Sequence, residues 1–529
     1  MAVWHCSLCS HSYDESKAST PWMDLADDWV CPVCGSPKSA FTKVSPQITA
    51  EPPAIQEEPA MRSYECGLCS HVYDEAKEGI LWEELADDWS CPVCGSGKEV
   101  FSRASSDAPI SAGTSKDASG GEEYLGEWSR PADELETSMA DIHYMAATGR
   151  SVIEPMRTRV HTFSWDEILF KGAQLSRMPL NKTQPVVTRT VIGPGAAVPL
   201  VLDSPVFVSH MSFGALSREA KLALSRGSAR VKTAMCSGEG GILPESLEAS
   251  WKYIFEYVPN KYSVTDENLS RVDAVEIKIG QSAKPGMGGH LPGNKVTREI
   301  ASIRGFREGQ DIISPSRFPD IRTKDDLKAT VDHLREKTGG KPVGIKLAAG
   351  HIEEDIDIAL YAGVDFITID GRAGGTGASP KVVKNAASVP TIFALFRARK
   401  VLDARGADRV SLIITGGLRV SSDFAKALAM GADAIAVGTA AMIAVGCQQY
   451  RICNTDRCPV GITTQDPALR ARLDVEKSAV RVANFFRTNT EELRDFARLS
   501  GNENVHNLSL ADLCTTSSEI SNHTGIMHV

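Results

Sequence analysis

The sequence predicts an α/β chain in which a (β/α)8 TIM barrel follows two small domains, each closed by a four-cysteine metal site. Three observations carry this expectation. Short apolar runs alternate with helical periodicities from about residue 122 onward. Near the N-terminus, residues 6–41 and 66–101 are two copies of one unit, each with a pair of C-x2-C hooks. After the last apolar run come three more cysteines, Cys447, Cys453 and Cys458, at spacings of C-x5-C-x4-C.

The chain has 529 residues, 42% of them hydrophobic and 23% charged, as in a soluble protein of more than one domain. Its formal charge of -10 argues against nucleic acid or an anionic membrane as main partner. No apolar run reaches membrane-spanning length, and MAVWHCSLCS lacks the basic and apolar regions of an export signal, so the expected location is the cytoplasm. Of 13 cysteines, only Cys236 and Cys514 fall outside metal-type groupings.

In the repeated unit, CSLCSHSYDESK is answered by CGLCSHVYDEAK, and DLADDWVCPVCGSPKSAF by ELADDWSCPVCGSGKEVF. The first copy offers Cys6, Cys9, Cys31 and Cys34; the second offers Cys66, Cys69, Cys91 and Cys94. Two hooks close a tetrahedral four-sulfur site, and domains this small need such a staple. Iron and zinc both accept that geometry, so spacing leaves the metal open. The expected domains are 1–43 and 63–102. A Pro/Glu-rich linker (44–62) should be semi-extended, and a Ser/Gly/Ala-rich one (103–121) flexible.

The large domain is expected over 122–529. Its candidate strands are 206–209, 231–235, 274–279, 311–314, 343–347, 366–370, 411–415 and 434–437, mostly continuous apolar runs of the kind that parallel strands need when both faces are buried. The absence of G-x-G-x-x-G between a strand and a helix disfavours the alternative, a doubly wound open sheet. In a barrel the chemistry belongs at the C-terminal strand ends, with phosphate commonly held after the last two strands. Gly416-Gly417 and Gly438-Thr439 stand there and, beside an iron-sulfur motif, point to flavin mononucleotide. KIGQSAKPGMGGHLPG places Lys278 and Lys284 in a glycine-rich loop, followed by Arg304. Three cations suit a dicarboxylic acid, although a solvated basic loop gives the same pattern. Glu239 lies in SGEGG at another strand end, and Lys346 sits in the apolar VGIKLAAG, where burial demands a partner such as reduced flavin. The tail beyond about 476 has helical spacing at Val482, Phe485 and Phe486 and should pack against the barrel.

The three late cysteines, Cys447, Cys453 and Cys458, suit a three-iron cluster, because a four-iron cube wants a fourth ligand and none lies nearby. Pro459 directly after the last cysteine agrees with cluster motifs; three plain thiols or an incomplete zinc site are the alternatives.

Each N-terminal unit closely resembles a rubredoxin. The resemblance rests on Tyr13-Asp14 and Tyr73-Asp74, the shared LADDW, and CPVCG followed by Lys38 or Lys98 and an aromatic residue, while Ser10-His11 and Ser70-His71 depart from the family pattern. It implies two mononuclear iron sites. Residues of about 200–475 resemble the FMN-binding domain of glutamate synthase, through SHMSFGALSREA, SGEGG, KIGQSAKPGMGGHLPG, DGRAGGTGASP, ITGG and the cysteine motif running into CPVGITTQDP. That resemblance implies FMN surrounded by Met211, Ser212, Lys346, Gly416, Gly417, Gly438 and Thr439, and a 3Fe-4S cluster on Cys447, Cys453 and Cys458. It further implies a catalytic keto-acid site of Glu239, Lys278, Lys284 and Arg304.

The implied reaction is reductive amination of 2-oxoglutarate with ammonia or an amine, in a homo-oligomer supplied with electrons by a reductase or ferredoxin. The family's amidotransferase domain has no counterpart here, since residue 2 is Ala2 and Cys6 belongs to a hook. Ammonia is then expected from solution or a separate glutaminase subunit. His290 replaces a family glutamine, and ISPSRFPD a diproline-histidine segment. These changes leave the exact substrate open; an N-methylglutamate synthase-type large subunit and a non-catalytic redox carrier or sensor are the alternatives.

Overall fold

A computed structural model describes residues 3–6, 11–15, 18, 20–26, 28–33, 35–44, 63–66, 72–75, 80–86, 89, 98, 101–103, 130 and 132–529. The chain divides into two compact units, Met1–Arg150 and Ser151–Val529. The expected linkers lie outside the described residues except for Val44 and Arg103.

In the first unit each repeat folds around a three-stranded antiparallel sheet whose central strand is its first: Val3–Cys6 between Ser12–Asp14 and Phe41–Val44, and Ser63–Cys66 between Val72–Asp74 and Phe101–Arg103. So small a sheet has little aliphatic core, and aromatic rings fill it. Trp4 stacks on Trp22 at 4.8 Å, and Tyr64 on Trp82 at 4.4 Å. Tyr13 and Phe41 close on Trp22 at 5.2 and 4.9 Å, and Tyr73 and Phe101 repeat both distances on Trp82. The lysine after the second hook makes the same contact in both copies, Lys38 donating to the Leu25 carbonyl and Lys98 to the Leu85 carbonyl, each at 2.8 Å. Cys6 and Cys31 are buried beside these rings. Cys66 ends its strand; Cys9, Cys34, Cys69, Cys91 and Cys94 lie outside the described residues.

The second unit is built on eight parallel strands: β1 (Val206–Val208), β2 (Ala234–Cys236), β3 (Lys252–Tyr257), β4 (Ala274–Lys278), β5 (Val343–Ala348), β6 (Phe366–Asp370), β7 (Ser411–Thr415) and β8 (Ala434–Val437). Each pairs with the next from β2 to β8, and β8 returns to β1 through Val206↔Ile435 and Val208↔Val437. Among these strands only the joint between β1 and β2 lacks a ladder. There the Thr233 hydroxyl donates to Val206 O at 2.6 Å, and Asp203 N to Lys232 O at 3.1 Å.

Two expected strands are corrected. Residues 311–314 form no barrel strand: Ile312–Ile313 pairs antiparallel with His290–Leu291, inside the long excursion after β4. Two adjacent isoleucines between Asp311 and Ser314-Pro315 are too short an apolar run to span a barrel wall. The third strand is KYIFEY, whose Glu256 disguises a run that is buried from Tyr253 to Tyr257. The strand expected at 231–235 begins at Ala234, because Lys232 turns left-handed at φ 51°.

Helices α1 (Arg218–Ala229), α2 (Arg298–Arg304), α3 (Lys324–Lys337), α4 (Ile352–Ala362), α5 (Thr391–Ala404), α6 (Ser421–Ala429), α7 (Thr439–Val445) and α8 (Val475–Leu499) belong to this unit. Ser217 caps α1 by accepting from Ala220 N, and Thr297 caps α2 through Ile300 N. α8 is the expected tail helix. It buries Val482 and Phe486 and meets α1 where Gly227 leaves no side chain. Among the described residues no helix is long and apolar enough to cross a membrane.

Candidate active site

All eleven residues expected to hold cofactor or keto acid line one cavity of about 230 Å³ at the C-terminal strand ends. Met211 and Ser212 follow β1, Glu239 follows β2, Lys278 ends β4 and Lys346 lies within β5. Lys284 stands on the excursion after β4 and Arg304 ends α2; Gly416-Gly417 and Gly438-Thr439 follow β7 and β8.

The polar side of the cavity is charge-paired. Lys278 Nζ forms a close ion pair with Glu239, both side chains being more than four-fifths buried. Burial alone would raise the Glu239 pKa, but the Lys278 charge and hydrogen bond, with Ser314 and Lys284, hold it at about 2. Lys284 Nζ donates to Gly288 O at 2.8 Å, and burial, then Lys278, push its pKa down. Arg304 donates to Phe213 O at 2.6 Å, lies over the Tyr262 ring at 5.4 Å, and keeps a buried Nε without a partner. Lys278 is thus neutralised by Glu239, while Lys284 and Arg304 retain cationic capacity for an anion.

Beneath lies a network of which the sequence showed only Lys346. Its Nζ is 3.5 Å from Glu256, and Glu256, Asp370 and Glu276 outweigh burial to hold its pKa above the ordinary lysine value. The partner that burial demanded is therefore a protein carboxylate. His210 Nδ1 accepts from Gly238 N at 3.1 Å, and His210 Nε2 lies 3.0 Å from Glu276, which also accepts from the Thr368 hydroxyl. An Nδ1 already accepting leaves Nε2 as the protonated nitrogen. The ligand atoms of His210, Glu256 and Glu276 lie within 4.8 Å of one another, and a metal on Nε2 would demand an imidazolate. Glu256 was hidden by the unrecognised β3, and His210 was visible only as part of SHMSFGALSREA.

On the opposite side, glycines make a cradle. At Gly416 (φ 111°) a Cβ would stand 2.3 Å from Gly371 O, and at Gly417 (φ 97°) 2.6 Å from the Ala373 Cβ. Around Gly438 a Cβ would meet only Met211 Sδ, at 3.9 Å. Tight glycine turns after β7 and open backbone at Gly438 after β8, all lining the cavity, suit a phosphate-bearing cofactor such as FMN.

The cysteine loop borders the same cavity through Cys453 and Thr463. Cys458 is buried, and Cys447 and Cys453 are half-buried. Cys447 Sγ accepts from Gln449 N at 3.4 Å and Nε2 at 3.1 Å, and Cys453 Sγ lies 3.8 Å from Met156 Sδ. Burial raises the Cys453 thiol pKa, and the neighbouring Cys447 and Cys458 add to the rise. Three cysteines on one loop beside the cavity, with N–H donors on Cys447, suit an iron-sulfur cluster. Lys295 and Met156, which also line the cavity, carried no signal in the sequence. His290 stands at the mouth, half-exposed, with Nε2 2.8 Å from Asp311. Cys236 is fully buried in β2, and Cys514 sits in the short strand Leu513–Thr515.

Residues 146–503 match the family model described as the conserved region in glutamate synthase, and residues 3–41 and 63–101 each match the rubredoxin model. A glutamate synthase large subunit-like protein of Rhizobium meliloti is 37% identical over 402 residues, 72% of this chain and 91% of that protein. The archaeal glutamate synthase [NADPH] of Methanocaldococcus jannaschii is 37% identical over 400 residues, 70% of this chain and 78% of that one. That of Archaeoglobus fulgidus is 32% identical over 455 residues, 82% of this chain and 86% of its own.

Proposed function

Because the chain belongs to the glutamate synthase family, we propose that it forms glutamate by reductive amination of 2-oxoglutarate. The observation that carries this reading is the meeting of Lys278, Lys284, Arg304 and Glu239 with a glycine cradle and the cysteine loop on one cavity. FMN held in the cradle would supply the hydride, and Cys447, Cys453 and Cys458 would hold a 3Fe-4S cluster that supplies it with single electrons. The rubredoxin-like units would each hold one iron through their four cysteines and would accept electrons from a reductase or ferredoxin. In sum, 2-oxoglutarate, ammonia, two electrons and two protons give glutamate and water. Ammonia comes from solution or from a separate glutaminase subunit.

The chain's own residues bind and orient the substrate. Arg304 and Lys284 grip its carboxylates, which fixes the keto carbon and contributes to rate through geometry. Glu239, ionised throughout the neutral range, acts as acceptor for the N–H groups of the incoming nitrogen; its low pKa makes it a poor proton donor. The Lys346 ammonium, held in place by Glu256, offers its remaining N–H donors to the flavin ring at the cavity floor.

The test is a metal, sulfide and flavin count on anaerobically purified protein, paired with assays using a reduced low-potential dye, 2-oxoglutarate, and either ammonium or methylamine. Expected are about five irons per chain, two single sites plus a three-iron cluster, one FMN, and glutamate from ammonium. Product only with methylamine would move the reading to the N-methylglutamate synthase type, and flavin without either product to a redox carrier. Two zincs per chain would remove the rubredoxin-like units from the electron route.

A further inference from the structure

Lys295 is a lysine whose surroundings its sequence context, LPGNKV, does not explain. It is 3% exposed, on the single turn Gly293–Lys295 that ends the glycine-rich loop bearing Lys278 and Lys284. Its Nζ leaves that loop and donates to Cys453 O at 3.0 Å and Thr463 O at 3.1 Å, with Asp456 Oδ1 3.8 Å away. Both ends of this tie are rigid. Gly293 N donates to Asp311 Oδ1 at 2.6 Å, and a Cβ on Gly293 would stand 2.1 Å from Gly309 O. Asp456 Oδ1 accepts from Gln465 N at 2.8 Å, and Gln465 Nε2 donates to Gly214 O and Leu216 O at 3.1 Å each. A buried cation is thereby fixed against the backbone of a cysteine expected to hold the cluster.

Resting on the proposal that Cys447, Cys453 and Cys458 hold an iron-sulfur cluster, we infer that Lys295 is the positioning residue that sets the cluster's reduction potential. Adding an electron makes the cluster more negative, and a buried positive charge nearby stabilises the reduced state in surroundings of low dielectric. Asp456 acts in the opposite sense. The pair trims the potential at which the cluster accepts an electron, and its tie to the substrate loop keeps that charge at a fixed place beside the cavity.

The test is a redox titration of the full-length, anaerobically purified chain, followed by the electron paramagnetic resonance signal of the oxidised three-iron cluster. Lys295→Met should lower the midpoint by the equivalent of at least a tenfold change in the reduction equilibrium, about 59 mV for one electron. Lys295→Arg should restore most of it. Asp456→Asn, which keeps the Oδ1 acceptor for Gln465, should shift the midpoint upward. If Lys295→Met fails to assemble a cluster, the upward shift in Asp456→Asn decides: its presence supports the inference and its absence overturns it. A wild-type signal whose midpoint ignores these substitutions overturns this inference alone. Absence of the signal from the wild-type chain overturns the cluster reading and this inference with it.

Discussion

Glu239 shows how a single contact fixes a residue's chemistry. Its depressed pKa means that the folded state binds fewer protons there than the unfolded chain between pH about 4.5 and about 2. The carboxylate's contribution to stability is complete above about 4.5 and is lost as pH falls through about 2, on the order of 3 kcal/mol in all. Glu239→Gln should therefore flatten the acid limb of the stability curve over that window, measured by denaturant unfolding at a series of pH values. The sequence exposed Glu239, Lys278, Lys284 and Arg304 because charges among glycines stand out. It also exposed Lys346, because a charge in an apolar run must be answered. It could not supply the answer, since Glu256, Glu276 and Asp370 meet Lys346 only through strand pairing across β3 to β6. Lys295 was illegible for the same reason, its partners lying 158 and 168 residues away.

At the scale of elements, seven of the eight barrel strands were visible as apolar runs, and the miss had a physical cause. Glu256, buried near the cavity end of β3, puts a charge into an apolar run and breaks the pattern by which buried strands are recognised. The isoleucine pair near 312 satisfied that pattern without the length to use it. Helix packing was less legible still, because a small residue in a helix does not say what approaches it. Gly227 permits α1 and α8 to touch: a Cβ there would stand 2.5 Å from the Val482 Cβ and 2.8 Å from Ala479 O. Gly227→Ala should therefore destabilise the second unit by about 1–3 kcal/mol despite the better helix propensity of alanine, read as a lower denaturant midpoint with an unchanged slope.

At the scale of the molecule, the division into a small cysteine-rich unit and a large barrel was legible because metal spacing and strand-helix alternation leave strong, different marks on a sequence. The two repeats share their aromatic stacking nearly distance for distance, so one copy's architecture is written in the other's. A chain beginning at residue 122 should keep the barrel and the dye-driven reaction while losing two irons and the ability to take electrons from a protein donor. Separate assays with dye and with reduced ferredoxin check this, and loss of dye-driven turnover would tie the small domains to the chemistry itself.

The joint between β1 and β2 gives the barrel a different kind of continuity from its other seven seams. Near its lower end the Thr233 hydroxyl bridges to β1, and at its upper end Lys221, fully buried, donates to Met211 O and Cys236 O at 3.0 Å and to Ser237 O at 2.8 Å. The cylinder is thus a clasp fastened mainly through side chains, the Thr233 hydroxyl, the Lys221 amine and the His210 ring, beside one backbone bond from Asp203 N to Lys232 O. The other seams are laced by backbone ladders, but here the closure depends largely on side-chain identity. Because the catch fastens directly behind Met211 and the turn that leads to Glu239, a slackened clasp would be felt first as a misshapen mouth and only later as a broken fold.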